Sequence, residues 1–426
     1  MGNPWLDAGI VAFSTLDYRH DRDYWAKWFP AELICESLPG QFRNWFYSML
    51  AMSTILERHP PFRTCVGHGL VLDEKGQEMH KSSGNVIWFD EAADTIGADV
   101  MRWTYCRSKP ENNMLLGYTL AEEVKRRFLI PLWNVYSFFV TYARLDEWTP
   151  KNTTNQYSLL DRWILSKLQE LVQDVTSCLE KYDIYSATAR FEQYVDELSR
   201  WYVRRSRRRF WKSQADVDKN AGYTTLYTCL TTIANLLAPF LPFLTEEMYQ
   251  NLVRSVTPHA PESVHHNDWP KADKLRIDEK LVTNMDLTIK ICSLGRSARN
   301  KAGIKLRQPL QQARVVAERA MLKRLQEFTE LIKDELNVKE VTLTTQKSEL
   351  LNYEVLPRPH LLGKKYGKLL SRLREAIAAM DTESVIQSLE QNQKVEIEVD
   401  DRVITLLPEE VEIRTQPKTG YAMAEE

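Results

Sequence analysis

The chain has 426 residues, too long for one ordinary core, so two or three folding units of about 150 residues are expected. Its 56 Lys and Arg against 58 Asp and Glu leave a formal net charge of −2, which excludes a uniformly basic nucleic-acid binder; any surface for a polyanion has to be local. Six scattered cysteines without a Cys-x-x-Cys pair argue against a zinc site, so no structural metal is expected, and no apolar run reaches the roughly 20 residues that cross a bilayer. A soluble cytoplasmic protein without membrane partners is the expectation. Leu6 stands where an N-myristoylation motif needs Ser or Thr.

Residues 1–105 mix Gly turns with short apolar runs, as an α/β unit does. Within them a buried helix is predicted over 43–56, a strand over 64–72, a loop over 73–85 and a helix over 90–101. From about 120 to 255 the period becomes helical: Ile164, Leu168, Leu171, Val172, Val175 and Leu179 form one stripe, and Ala187, Phe191, Tyr194, Val195, Leu198 and Tyr202 another. Pro258, Pro261 and Pro270 mark 257–274 as a linker or a strap across the bundle. Another helix is predicted over 278–301. The period-two runs 395–399 and 403–407 around Asp400-Asp401 predict a hairpin inside a small α+β domain near 346–426.

Two segments could carry chemistry. Glu78-Met79-His80-Lys81-Ser82-Ser83-Gly84-Asn85 puts a lysine among hydroxyls on a Gly-bounded loop after a strand, which suits polyphosphate: the ammonium meets phosphate oxygens, and amides and hydroxyls donate. By itself such a loop is most often a solvated turn, and there is no Walker or Gly-x-Gly-x-x-Gly pattern beside it. The second segment is the basic run Arg200 to Lys212. Arg200, Arg204, Arg207 and Arg208 share one helical face, with Arg205 beside them and Trp201 and Trp211 nearby, a pattern suited to phosphates and bases. The bland reading is an ion-paired surface, with Asp196 and Glu197 one turn away.

The string from Val66 to Arg102 resembles the second signature region of class I aminoacyl-tRNA synthetases, where a strand ending in His-Gly leads to a Lys-Met-Ser-Lys-Ser loop and Gly-Asn. The second lysine of that pattern falls on Lys81 and its last serine on Ser82; Glu78 replaces the first lysine and His80 the first serine. Trp5-Leu6-Asp7-Ala8-Gly9 and Gln41-Phe42-Arg43-Asn44-Trp45-Phe46 are similar to other family segments, although the aspartate expected before the Gln is missing. Asp161-Arg162-Trp163, the stretch 198–211 and Ala238-Pro239-Phe240-Leu241-Pro242 resemble the helical domain of isoleucyl-tRNA synthetases. His-x-Gly-His, the family's first signature, is absent.

The resemblance implies a multidomain chain: the C-terminal half of an α/β Rossmann-type nucleotide-binding domain over 1–105, an all-α anticodon-binding bundle over 106–275, a helical junction over 276–345, and a small α+β C-terminal domain over 346–426. It implies ATP with Mg2+ as substrate, isoleucine and tRNA(Ile) as partners, and a separate N-terminal half chain as a possible further partner. Lys81 is the implied catalytic residue; His68, Gly69, Met79, His80, Lys81, Ser82, Glu36 and Gln41 are implied to hold ATP and adenylate, with Gly69 letting the adenine ring approach closely. Arg200, Arg204, Arg205, Arg207 and Arg208 are the implied tRNA contacts. The competing readings are a non-catalytic tRNA-binding module and a valine- or leucine-type relative.

Overall fold

The computed structural model describes residues 3–211, 216–346, 351–380, 385–386, 388–389, 394–400 and 402–425. Two compact units divide the chain, Met1–Asp278 and Glu279–Glu426. Lys212, the end of the basic run, lies outside the described residues. No helix among the described residues is long and apolar enough to cross a membrane.

The first unit opens with an aromatic nest in which Trp25 stacks on Phe29 at 4.4 Å and on Phe13 at 5.9 Å. Strand β1 (Ala31–Ser37) then pairs in parallel with β2 (Phe62–His68), and helix α1 (Trp45–Glu57) makes the crossover that a parallel pair requires. The register sets Glu36 opposite Gly67 and Ser37 opposite His68, so the C-terminal ends of both strands deliver the predicted site residues side by side. The expectation that α1 is a buried helix holds for one face only. Phe46, Met49 and Ser53 are buried, but Tyr47, Leu50 and Ile55 are exposed, because two strands and one helix cover only one side of each other.

The strand predicted over 64–72 is two strands. At Gly69 the chain leaves β1: the Gly69 amide donates to the Pro110 carbonyl at 2.8 Å, the Leu70 amide to Asn113 Oδ1 at 2.9 Å, and β3 (Val71–Leu72) pairs with β4 (Met114–Leu115). The helix predicted over 90–101 is likewise two, α2 (Phe89–Thr95) and α3 (Ala98–Cys106), broken by Gly97 at φ 96°.

Helix α3 is fastened to the helical bundle. Arg102 donates to the carbonyls of Pro239 and Phe240, and Asp99 accepts the amides of Phe243 and Leu244, satisfying the start of α10 (Pro242–Tyr249). Below this clasp, the fully buried Trp103 stacks on Phe128 at 4.1 Å. The rest of the bundle comprises α4 (Tyr118–Val124), α5 (Ile130–Leu145), α6 (Leu159–Glu180), α7 (Ile184–Glu197), α8 (Arg204–Phe210) and α9 (Val217–Leu237), with the predicted apolar stripes as its core. A π-helical segment, Leu198–Val203, joins α7 to α8. Residues 257–274 do form a strap: Trp269 Nε1 donates to Thr176, the Asp273 amide to Gln169, and Tyr249 to the Pro261 carbonyl.

At the bundle's centre lies Asp161, wholly buried in the first turn of α6. It takes part in a capping box with Ser158, accepts the Tyr202 hydroxyl, and receives Arg209 through two nitrogens at 2.8 Å each. Burial pushes its carboxyl up, but Arg209, Tyr202 and Ser158 outweigh that and hold it below the ordinary value.

In the second unit α11 (Glu279–Lys301) supplies the buried Arg299, whose guanidinium binds the carbonyls of Lys305, Gln308, Leu336 and Asn337. It thereby ties the approach to β5 (Leu310–Val316) to that of its parallel partner β6 (Val338–Thr344). Farther on, β7 (Leu351–Pro357) pairs antiparallel with β10 (Val411–Pro417). The predicted hairpin is β8 (Val395–Val399) with β9 (Arg402–Leu406); Val395, Ile397 and Val399 point inward in alternation.

Removing one partner of the buried Asp161–Arg209 pair strands the other charge, so Arg209→Ala should cost about 3–5 kcal/mol, and a double Asp161→Leu, Arg209→Met variant much less. All twelve tryptophans lie in the first unit, so urea unfolding followed by tryptophan emission reads that unit alone. Because the folded-state value of Asp161 is lowered, its contribution should be full above the unfolded value of about 3.9 and fade as pH falls through the folded one. Equal losses in the single and double variants would contradict the pairing.

Candidate functional site

The loop after β3 is built on Asp73 and Asn85. Asp73 Oδ1 accepts the amides of Lys75 and Gln77 at 3.0 and 2.8 Å, and Gly76 turns the chain at φ 77°. Asn85 Nδ2 donates to Asp73 Oδ2 and to the Glu78 carbonyl, while its Oδ1 accepts the His80 amide at 3.0 Å. One side chain thus closes the loop from both ends. The amide of Asn85, then those of Gln77 and Lys75, hold the Asp73 carboxyl below its ordinary value. In the sequence Asn85 stands only as part of a motif; the Gly84-Asn85 pair closing the loop is the one local sign of this role.

On this frame Lys81–Ser83 form a single 3₁₀ turn, entirely exposed. The Lys81 ammonium lies 5.1 Å from the centre of the Trp88 ring, a cation–π contact that the sequence did not announce. His80 faces Glu78 at 3.3 Å, so the two departures from the signature pair with each other. Met79 is half-buried, and Ser82 is exposed beside Lys81.

At the β1 and β2 ends, Glu36 and His68 are brought within 3.9 Å of each other, both partly open to solvent, and His68 Nδ1 contacts the Gly69 carbonyl at 2.8 Å. Gln41 is used locally: its Oε1 accepts the Trp45 amide at the start of α1. Gly69 is explained by the chain itself. A Cβ there would stand 2.5 Å from the Asn112 carbonyl oxygen, so any side chain at this position would collide with protein. Among the described residues no three His, Cys, Asp or Glu side chains gather as metal ligands would.

The basic run divides between an exposed face and the interior. Arg200, Arg204, Arg207 and Arg208 are exposed, whereas Arg205 and Arg209 turn inward, Arg209 onto Asp161. Arg200 is paired with Asp196 at 2.8 Å, and Arg204 Nε donates to the Arg200 carbonyl. Arg207 and Arg208 have no ion pair with any other described residue, which leaves them the readiest to meet an anion. Trp201 is core, 7% exposed, but Trp211 is 59% exposed.

Comparison with known proteins gives a consistent picture. Residues 3–116 match the family model of tRNA synthetases class I (I, L, M and V), and residues 161–316 that of the anticodon-binding domain of tRNA ligase. The isoleucine–tRNA ligase of Thermus thermophilus is 43% identical over 99% of this chain and 41% of its own length. That of Clostridium tetani is 40% identical over the same shares, and that of Dehalococcoides mccartyi CBDB1 is 50% identical over 79% of this chain and 34% of its own. The chain thus spans about two fifths of the length of the first two relatives. In fold it is similar to the LeuRS of a LeuRS–tRNA–LeuAMS complex from Agrobacterium radiobacter K84, with TM-score 0.50 and 18% identity over 65% of this chain and 33% of that one.

If Asn85 closes the loop, Asn85→Ala should speed amide exchange across 74–84 roughly tenfold, the worth of one or two ordinary hydrogen bonds, and leave the global urea midpoint in place. In the unsubstituted chain the same protection should fade as pH falls through the lowered value of Asp73. Exchange unchanged by the substitution would mean that the loop is held elsewhere.

Proposed function

We propose that this chain, whose residues 3–116 and 161–316 match the class I synthetase and anticodon-binding family models, is the C-terminal portion of an isoleucine–tRNA ligase acting in the cytoplasm, with ATP and its Mg2+, isoleucine and tRNA(Ile) as substrates. The carrying observation is the 43% identity to the Thermus thermophilus isoleucine–tRNA ligase along 99% of the chain. Residues 1–105 are read as the second half of the nucleotide-binding domain, 106–275 as the anticodon-binding bundle, and 346–426 as a small C-terminal domain; the junction over 276–345, expected to be helical, carries the parallel pair β5–β6 among its helices.

In this reading the isoleucine carboxylate attacks the α-phosphorus of ATP, the bond to pyrophosphate breaks, and the acyl group then passes from the adenylate to the terminal ribose of tRNA. Lys81 would stabilise the charge that grows on the departing phosphates, an electrostatic role that needs no proton transfer. Its ammonium is solvent-facing and, among the described residues, is held by the Trp88 ring and by no ion pair, so it can meet an anion directly. Glu36 and His68, adjacent at the strand ends, would border the adenylate. His-x-Gly-His would come from a segment outside this sequence, in the same polypeptide or a separate chain.

Two tests follow from these assignments. With the chain supplied with a half carrying His-x-Gly-His, Lys81→Ala should slow isoleucyl-adenylate formation roughly a hundred- to a thousandfold and change ATP affinity far less, because the interaction strengthens only in the transition state. A loss confined to ATP affinity would make the loop a binding clamp. The chain alone should bind tRNA with an affinity that falls steeply with salt, and Arg207→Ala with Arg208→Ala should flatten the slope of log K against log salt by about two units. An unchanged slope would return these arginines to a solvated face.

A further inference from the structure

Beyond the arginines, α8 is capped at its C-terminal end by an exposed tryptophan. Trp211 directly follows Phe210, and at 100° per residue it returns to within 20° of Arg204, seven positions earlier. Arg204, Arg207, Arg208 and Trp211 therefore form one stripe about 10 Å long, at a rise of 1.5 Å per residue. All four are exposed, whereas Phe210, one position away, is buried against Phe138 and Tyr223.

An exposed tryptophan is ordinarily free to turn, but this one is fixed. Its indole Nε1 donates to the Tyr142 hydroxyl at 2.9 Å. Tyr142 in turn packs on Phe138 at 4.8 Å and on Phe210 at 6.4 Å, which anchors the acceptor in the bundle core. The polar edge of the indole is thus occupied by protein while 59% of the residue stays open to solvent. A ring oriented in advance loses little rotamer freedom when another flat group stacks on it.

We infer that Trp211 is a stacking platform for an unpaired RNA base, with Arg207 and Arg208 receiving the phosphates of the same strand. Single-stranded loops are the parts of RNA whose bases can swing out onto aromatic rings, and cations one turn away suit the intervening backbone. The position falls within the segment matching an anticodon-binding domain, which points to the anticodon loop as the strand. The inference rests on the tRNA-binding reading above and adds a base contact to its phosphate contacts.

The test uses the purified chain with an anticodon stem-loop RNA and with the same stem as an uninterrupted duplex, titrated over a range of salt. Trp211→Ala should weaken stem-loop binding about 5- to 150-fold, the usual worth of one stacked base, and leave the salt slope unchanged. Trp211→Phe should restore most of the affinity, Tyr142→Phe should lose part of it, and the duplex should be indifferent to all three. Because Trp211 is exposed, the urea midpoint of Trp211→Ala should stay near that of the unsubstituted chain. If the unsubstituted chain binds the stem-loop with a steep salt slope and Trp211→Ala binds equally well, the stacking inference fails and the tRNA reading stands. If the unsubstituted chain binds no RNA, both fail together.

Discussion

The buried carboxylate of Asp161 is the point on which the bundle's outer surface depends. A charge inside a protein persists only when its oxygens are fully engaged, and here Ser158, Tyr202 and Arg209 engage them from the start of α6, the π-helical segment and α8. The start of α6 and the continuous stretch from the π-helical segment into α8, 41 to 48 positions away, are thereby clamped in rotation as well as position. With Arg209 pulled inward, helical geometry leaves Arg204, Arg207 and Arg208 no choice but to point out. An interior salt bridge thus sets the direction of exterior charges.

A second clasp links the α/β segment that bears the signature loop to the bundle. Arg102 and Asp99, one turn apart on α3, bind the carbonyls of the turn before α10 and the amides of its first turn, where two prolines at 239 and 242 prevent a continuous helix. Burial pushes the Asp99 carboxyl up even though the Leu244 and Phe243 amides and Arg102 oppose it. The loop bearing Lys81 and the helix that reads as an RNA surface belong to one compact unit, and this pair of residues is one of the fixed points between them.

Much of this was legible in sequence, and the misses share one cause. Period-two alternation located the tail hairpin, and 3.6-period stripes located the bundle core, because each repeats a local rule over many residues. What a single residue does was harder to see. Nothing in the run 204–209 says that Arg209 is paired inside while Arg208 stays outside; that is decided by Asp161, 48 positions away. Gly69 offers room for a ligand in sequence, and the structure adds a constraint no sequence window shows, the close approach of the Asn112 backbone. The break at Gly97 and the exposed side of α1 likewise depend on neighbours that no window of sequence contains.

The signature loop combines a firm base with a weakly held tip, which is what an anion-responsive loop requires. Asn85 bonds Asp73, Glu78 and His80, and those bonds involve backbone groups that water would otherwise have to satisfy. At the tip, Lys81 is held by one exposed cation–π contact worth about 0.5–1 kcal/mol. The His80–Glu78 contact is also on the surface and of similarly small worth. Glu78 stands where the family pattern has a lysine, so the tip offers a triphosphate one fewer positive charge but commits its own acid to His80 and not to Lys81. The ammonium consequently stays available, and a polyphosphate needs to compete only with an indole ring to draw it in.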